Sequence, residues 1–251
     1  MSYRVHLLRW GRKAYRNAWE EQEAAASDVR AGGEDCLVLV EHPPVYTFGR
    51  RVRPEHLLVA AEELTKRGAE VVESDRGGDI TFHGPGQIVG YPILDLKRRG
   101  IGPNEYVRGI EEVLIRALDR FGIVAERAAG RPGVWVGNRK IAAIGVRLRG
   151  GVTTHGFALN VCTDLSWFEA IVPCGLNGFG VTSIGEETVE HEVGGGFTSL
   201  PDVENALVTA FEGVFDSEMI VNSHTKPGEP RTPLKNAWNG PSREAVLAHG
   251  H

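Results

Sequence analysis

Residues 133–161 read GVWVGNRKIAAIGVRLRGGVTTHGFALNV. Three apolar, β-branched runs, Gly133–Val136, Lys140–Leu148 and Thr153–Val161, are separated by Gly137-Asn138 and Gly150-Gly151. Both dipeptides supply the positive φ angles of tight hairpin turns, so the stretch predicts a β meander. Working outward, Cys36–Glu41 is a short apolar run stopped by His42, Pro43 and Pro44, and Val45–Phe48 resumes as a strand. Tyr3–Arg9, Glu70–Glu73, Asp79–Phe82 and Ile88–Leu96 are further strand candidates. Helical spacing of apolar residues runs from Tyr15 to Val29, closed by Gly32 and Gly33, and from Leu57 to Arg67, closed by Gly68. Asn104 caps a third predicted helix, with Val107, Ile110, Val113, Leu114, Ala117, Leu118 and Phe121 on one face. Pro201 at a first helical position opens a last one. Strands and helices alternate without a strict βαβ rhythm, which predicts an α/β (α+β) fold, a mixed sheet with helices packed on it.

After about Val221 the chain turns to Pro, Asn, Gly and charge, so we expect one domain over 1–221 and a disordered or loosely attached tail over 222–251. The chain has 251 residues and a net charge of −5, so no basic field draws it to nucleic acid or an anionic membrane. No stretch approaches the roughly 18 apolar residues of a membrane helix. Three cysteines without a C-x-x-C spacing indicate neither a disulfide framework nor a cysteine zinc site. The first residues lack a signal-peptide pattern, and with the unpaired cysteines this predicts a reducing, cytoplasmic setting. Of 32 glycines, 20 lie between Gly77 and Gly185, a surplus that suggests loops approaching a ligand closely.

The densest polar segment is Arg76-Gly-Gly-Asp-Ile-Thr-Phe-His-Gly-Pro-Gly-Gln87, running on to Tyr91. It reads either as a binding wall with Arg76 and His83 at its ends or as two turns around a strand; no phosphate-loop pattern is present. Lys140 heads an otherwise apolar strand, where an ammonium partly withdrawn from water can serve as acid or base; the alternative is a solvated turn lysine. Cys36 and Cys162 lie in apolar strands and read as core residues. Cys174, between Pro173 and Gly175 in an irregular stretch, is the candidate nucleophile, provided a neighbour stabilises its thiolate. Lys140, His83 and His155 are the available partners.

In this order and spacing, R-G-G-x-x-T-F-H-G-P-G-Q-x-x-x-Y from Arg76, R-K-I-A-A-I-G from Arg139, H-G-F-A-L-N-V from His155 and P-C-G from Pro173 resemble the lipoyl(octanoyl) transferase family. The resemblance covers roughly residues 3–221. It implies the biotin/lipoate protein ligase catalytic-domain fold. It also implies transfer of an octanoyl group from octanoyl-acyl carrier protein to a lysine of lipoyl domains, those of 2-oxoacid dehydrogenase E2 subunits and the glycine cleavage H protein. Position by position, Cys174 matches the acyl-thioester cysteine and Lys140 its activating lysine. Arg76, Gly77, Gly78, Asp79, Ile80, Thr81, Phe82 and His83 match substrate-contacting segments, as do Ala143-Ile144-Gly145 and Gly156-Phe157-Ala158. Ala143 stands where some members carry a small polar residue, so only a backbone contact is implied there. No metal or cofactor is implied. The alternatives are an ATP-dependent lipoate or biotin ligase on the same fold, against which the P-C-G cysteine argues, and a non-catalytic module that binds lipoyl or carrier domains.

Overall fold

The computed structural model describes residues 2–172, 179–189 and 199–221. In chain order the elements are β1 (Tyr3–Arg12), α1 (Tyr15–Arg30), β2 (Asp35–Glu41), β3 (Val45–Phe48), α2 (Ala61–Lys66), β4 (Glu70–Glu73), β5 (Ile80–His83), β6 (Gln87–Ile93), α3 (Leu96–Arg99) and α4 (Pro103–Asp119). They continue with β7 (Glu126–Ala128), β8 (Arg131–Val136), β9 (Arg139–Arg149), β10 (Val152–Asn160), β11 (Gly180–Val181), α5 (Ile184–Val189), α6 (Leu200–Val214) and β12 (Ser217–Val221). The predicted meander is present: β8, β9 and β10 pair antiparallel in sequence. It extends into a mixed sheet of order β12-β1-β2-β6-β10-β9-β8-β7, with β11 parallel to β9. A second, three-stranded sheet has the order β4-β3-β5.

Apolar residues of β2, β6 and β10 alternate between two cores, because successive side chains of a strand point to opposite faces. On one face Leu37, Leu39, Ile88, Phe157 and Leu159 pack with α4 and α6, through Ile110, Leu114, Leu207 and Phe211. On the other, Val38, Val40, Val89 and Tyr91 pack with Ala18, Ala26 and Val29 of α1. The small sheet has its own aromatic core around Tyr46, Phe82 and Phe168.

Several boundaries differ from the sequence reading for local reasons. The helix expected over Leu57–Arg67 begins only at Ala61, because Leu57 is held in a bridge to Ile171 and the Leu58 amide donates to Ala170 O at 2.9 Å. The α4 cap is Gly102 rather than Asn104: Pro103, whose φ is already helical, takes the first position, and Glu105 Oε2 accepts from the Gly102 amide at 3.5 Å. Ser199 caps α6, placing Pro201 at its second position. The strand expected to reach Leu96 stops at Ile93, and the short α3 follows, capped by the Asp95 carboxylate on the amides of Lys97 and Arg98. Cys36 is buried as expected, but Cys162 is exposed: β10 has ended at Asn160, and the Cys162 amide turns to Gly86 O at 3.0 Å. Residues 222–251 lie outside the described residues. Among the described residues no helix is long and apolar enough to cross a membrane.

Candidate active site

A cavity of about 1080 Å³ brings together the loop Arg76–Asp79, Ile80, Thr81 and His83 of β5, Lys140 and Ala143–Gly145 of β9, and Gly156–Ala158 of β10. These are the site residues expected from sequence, with two exceptions. Phe82 alternates to the other face of β5 and stacks on Trp167, centroids 5.2 Å apart, so it belongs to the small sheet's core. Cys174 lies outside the described residues. The sequence reading missed Tyr15 and the rim of Arg51, Arg53 and His56, together with Arg108 and Glu111 of α4 and Arg127. They sit on separate elements, α1, the loop before α2, α4 and β7, that only tertiary structure gathers, so no local spacing announces them.

The glycines of the cavity wall act by close approach. A Cβ on Gly145 would lie 2.8 Å from Gly77 O, and one on Gly156 would lie 2.1 Å from Gly90 O. The absence of a Cβ on Gly145 lets the Arg76–Gly78 loop lie flat on β9, where the Gly77 amide donates to Val146 O at 3.0 Å, and its absence on Gly156 lets β10 close on β6. Arg76 is buried; its Nε donates to Thr47 Oγ1 at 3.0 Å and its Nη1 to Gly77 O at 3.0 Å, so the guanidinium fastens the loop to β3. The Asp79 carboxylate accepts from the Arg53 amide at 3.2 Å and the Ile80 amide at 2.8 Å and pairs with His56, so it shapes the rim loop.

Three histidines beside the cavity are held uncharged by burial. His83 contacts Gln87 Oε1 through Nδ1 at 2.8 Å and stacks on Tyr15 at 5.9 Å; desolvation first, then His42 and Arg76, push its pKa well below the usual value. His155 is lowered too, by desolvation, with Asp75 opposing. His42 bonds to Lys13 O and to the Tyr91 hydroxyl, both at 2.7 Å, and burial lowers its pKa from 6.5 to about 4. The unfolded chain therefore binds a proton below pH 6.5 that folded His42 refuses until about pH 4. The associated stability is complete above pH 6.5 and is lost as pH falls toward 4, about 3 kcal/mol from His42 alone. Urea midpoints are expected to hold between pH 8 and 7 and fall across this window; His42→Gln flattens the fall, and an unchanged slope would contradict the assignment.

Lys140 is 6% exposed. Its Nζ lies 4.7 Å from the Trp135 ring centroid and donates to Pro132 O at 3.4 Å. On its other side the Thr182 amide donates to Lys140 O at 3.0 Å, in register with β11. Thr182 in turn ties to the rest of the site: its carbonyl accepts from Asn160 Nδ2 at 3.0 Å, Asn160 Oδ1 accepts from Gln87 Nε2 at 2.9 Å, and Gln87 holds His83. The solvated-lysine alternative is thereby excluded. Among the described residues no group of three or more potential ligands could hold a metal.

The chain matches the family model described as the lipoyl protein ligase A/B catalytic domain over residues 14–212. An octanoyltransferase of Chloroflexus aurantiacus is 48% identical over 219 residues, covering 85% of this chain and 94% of the relative. One from Rubrobacter xylanophilus is 50% identical over 207 residues, covering 81% and 90%. Among solved structures, a bipartite lipoate protein ligase from Thermoplasma acidophilum, solved in work on an archaeal lipoylation system and its E2 lipoyl domain, superposes with a TM-score of 0.60 at 18% identity, covering 88% of this chain and 87% of its own. That likeness supports the fold alone. Identity near one half over most of the chain supports more: the protein belongs to the lipoyl(octanoyl) transferase family and is an acyltransferase on the lipoate-ligase catalytic fold.

Proposed function

We propose that the enzyme takes an octanoyl group from octanoyl-acyl carrier protein onto Cys174 and passes it to a lysine of lipoyl domains, including those of 2-oxoacid dehydrogenase E2 subunits and the glycine cleavage H protein. The observation that carries the reading is the setting of Lys140: a buried ammonium in the cavity wall, on a strand paired with the segment that follows the Cys174 stretch. The Lys140 ammonium stabilises the Cys174 thiolate, which attacks the donor's thioester carbonyl. The tetrahedral oxyanion collapses, expelling the carrier thiolate, and Lys140 protonates that leaving group. Neutral Lys140 then receives a proton from the acceptor lysine as its amine attacks the octanoyl-enzyme, releasing Cys174 and leaving an amide. The Gly77 amide is already engaged with Val146 O, so we assign oxyanion stabilisation to the neighbouring Gly78 amide.

Thioester exchange is nearly isoenergetic and thioester to amide is downhill, so no ATP is needed. A cytoplasmic, reducing compartment suits a reaction that depends on a free thiol. Incubating the protein with a lipoyl domain and octanoyl-acyl carrier protein, without nucleotide, is expected to give the octanoylated domain, while octanoate plus ATP gives none. Modification only in the second mixture would make the protein a ligase. No modification in either, with the lipoyl domain bound, would make it a binding module.

A further inference from the structure

His155 is set against the strand that carries it. In the middle of β10 its φ is +57°, a left-handed backbone that a bulky residue adopts only where its surroundings impose it. Pro92 of β6 has no amide to offer β10 here; Thr153 Oγ1 donates to Pro92 O at 2.8 Å instead, and the strand swings at His155. The His155 amide leaves the ladder to donate to Gln22 Oε1 of α1 at 2.9 Å. Its imidazole turns toward the loop ahead of Arg76, Nε2 reaching Asp75 Oδ1 at 2.8 Å. Asp75 also pairs with Arg147 of β9. The ring is 2% exposed, 5.9 Å from Trp19 and 6.5 Å from Tyr91, and among the described residues its Nδ1 meets no hydrogen-bond partner. Glu23 of α1 and Arg76 act on it from further off.

A left-handed backbone at a bulky residue works against stability, so packing alone does not account for this histidine. What the strained conformation achieves is the aim of Nε2 at Asp75, directly before Arg76-Gly77-Gly78. We propose that His155, acting through Asp75, is a positioning residue that holds the Arg76–Gly78 wall of the octanoyl site in register on β9; this rests on the transferase reading above. Because the Asp75 carboxylate accepts from Nε2–H, the neutral imidazole is held in its Nε2–H tautomer.

The test uses the full-length enzyme with octanoyl-acyl carrier protein and a lipoyl domain. Asparagine and glycine accept a left-handed backbone, so His155→Asn and His155→Gly are expected to melt at or above the wild-type temperature. Their KM for the donor should rise on the order of ten-fold as the wall that holds the acyl chain loosens, and kcat should fall on the order of ten-fold as the Gly78 amide drifts from the oxyanion. Asp75→Asn, at a partly exposed position, is expected to reproduce the KM change, and the His155→Asn/Asp75→Asn double variant to be no worse than the weaker single. Folded variants with wild-type KM, or additive losses in the double, overturn the proposal. So does loss of folding in all three single variants, which would make the pair structural. A wild-type enzyme that transfers nothing overturns the transferase reading itself, and the proposal with it.

Discussion

Cys174→Ala protein is expected to fold as the parent does and to transfer no octanoyl group above background, a loss on the order of 10⁴-fold or more, because the covalent route has no substitute nucleophile. The other two cysteines cannot take over. Cys36 is buried on β2 among Val38, Ile93 and α1 residues. The Cys162 thiol is pushed up from its ordinary pKa, by desolvation first and then by the Glu41 carboxylate, the reverse of what a nucleophile needs. Cys162→Ser is accordingly expected to leave turnover unchanged, and Cys36→Ser to lower the melting temperature with kcat/KM retained in the folded fraction. Loss of activity in folded Cys36→Ser or Cys162→Ser, with Cys174→Ala active, would mean the wrong thiol has been assigned.

Lys140→Met is expected to slow acylation by about 10² to 10⁴-fold, the range for removing a positioned proton carrier. Methionine keeps an unbranched stem against Trp135, so the melting temperature should change little. Two readouts separate chemistry from packing. The rate of Cys174 alkylation against pH should shift to higher pH, because the thiolate loses its neighbouring cation. Lys140→Arg should restore that shift in part without restoring turnover, since arginine supplies charge but does not release a proton at neutral pH. An unchanged alkylation profile in Lys140→Met would remove Lys140 from the mechanism.

The sheet was legible in sequence where turn chemistry and apolar runs agree. Gly137-Asn138 and Gly150-Gly151 delimit β8, β9 and β10, and the CLVLV run is a strand buried on both faces. The weakly patterned edges were not: β7 is three residues long and among the described residues pairs only with β8, and β12 is held by its parallel register with β1 at the far end of the chain. The helix over Leu57–Arg67 lost its first turn, because a tertiary bridge to Ile171 outweighs local helical preference there. In the site, the glycine surplus pointed correctly to close approach, but Gly145 meets Gly77 O and Gly156 meets Gly90 O, backbone against backbone. Phe82 sat inside a matching motif, yet strand alternation sends it to the small sheet's core. His155 stood out as one of three possible partners for a cysteine and as the head of a matched motif; its left-handed backbone and its hold on Asp75 depend on Pro92 and on α1, which no local pattern reveals.

The acyl-enzyme itself is the most direct test. Wild-type protein incubated with octanoyl-acyl carrier protein and no acceptor is expected to gain the mass of one octanoyl group, labile to hydroxylamine, absent from Cys174→Ala and lost on adding a lipoyl domain as that domain gains it. Wild-type protein that stays unmodified while still octanoylating the domain, or an adduct that persists in Cys174→Ala, would contradict a Cys174 thioester as the path of transfer.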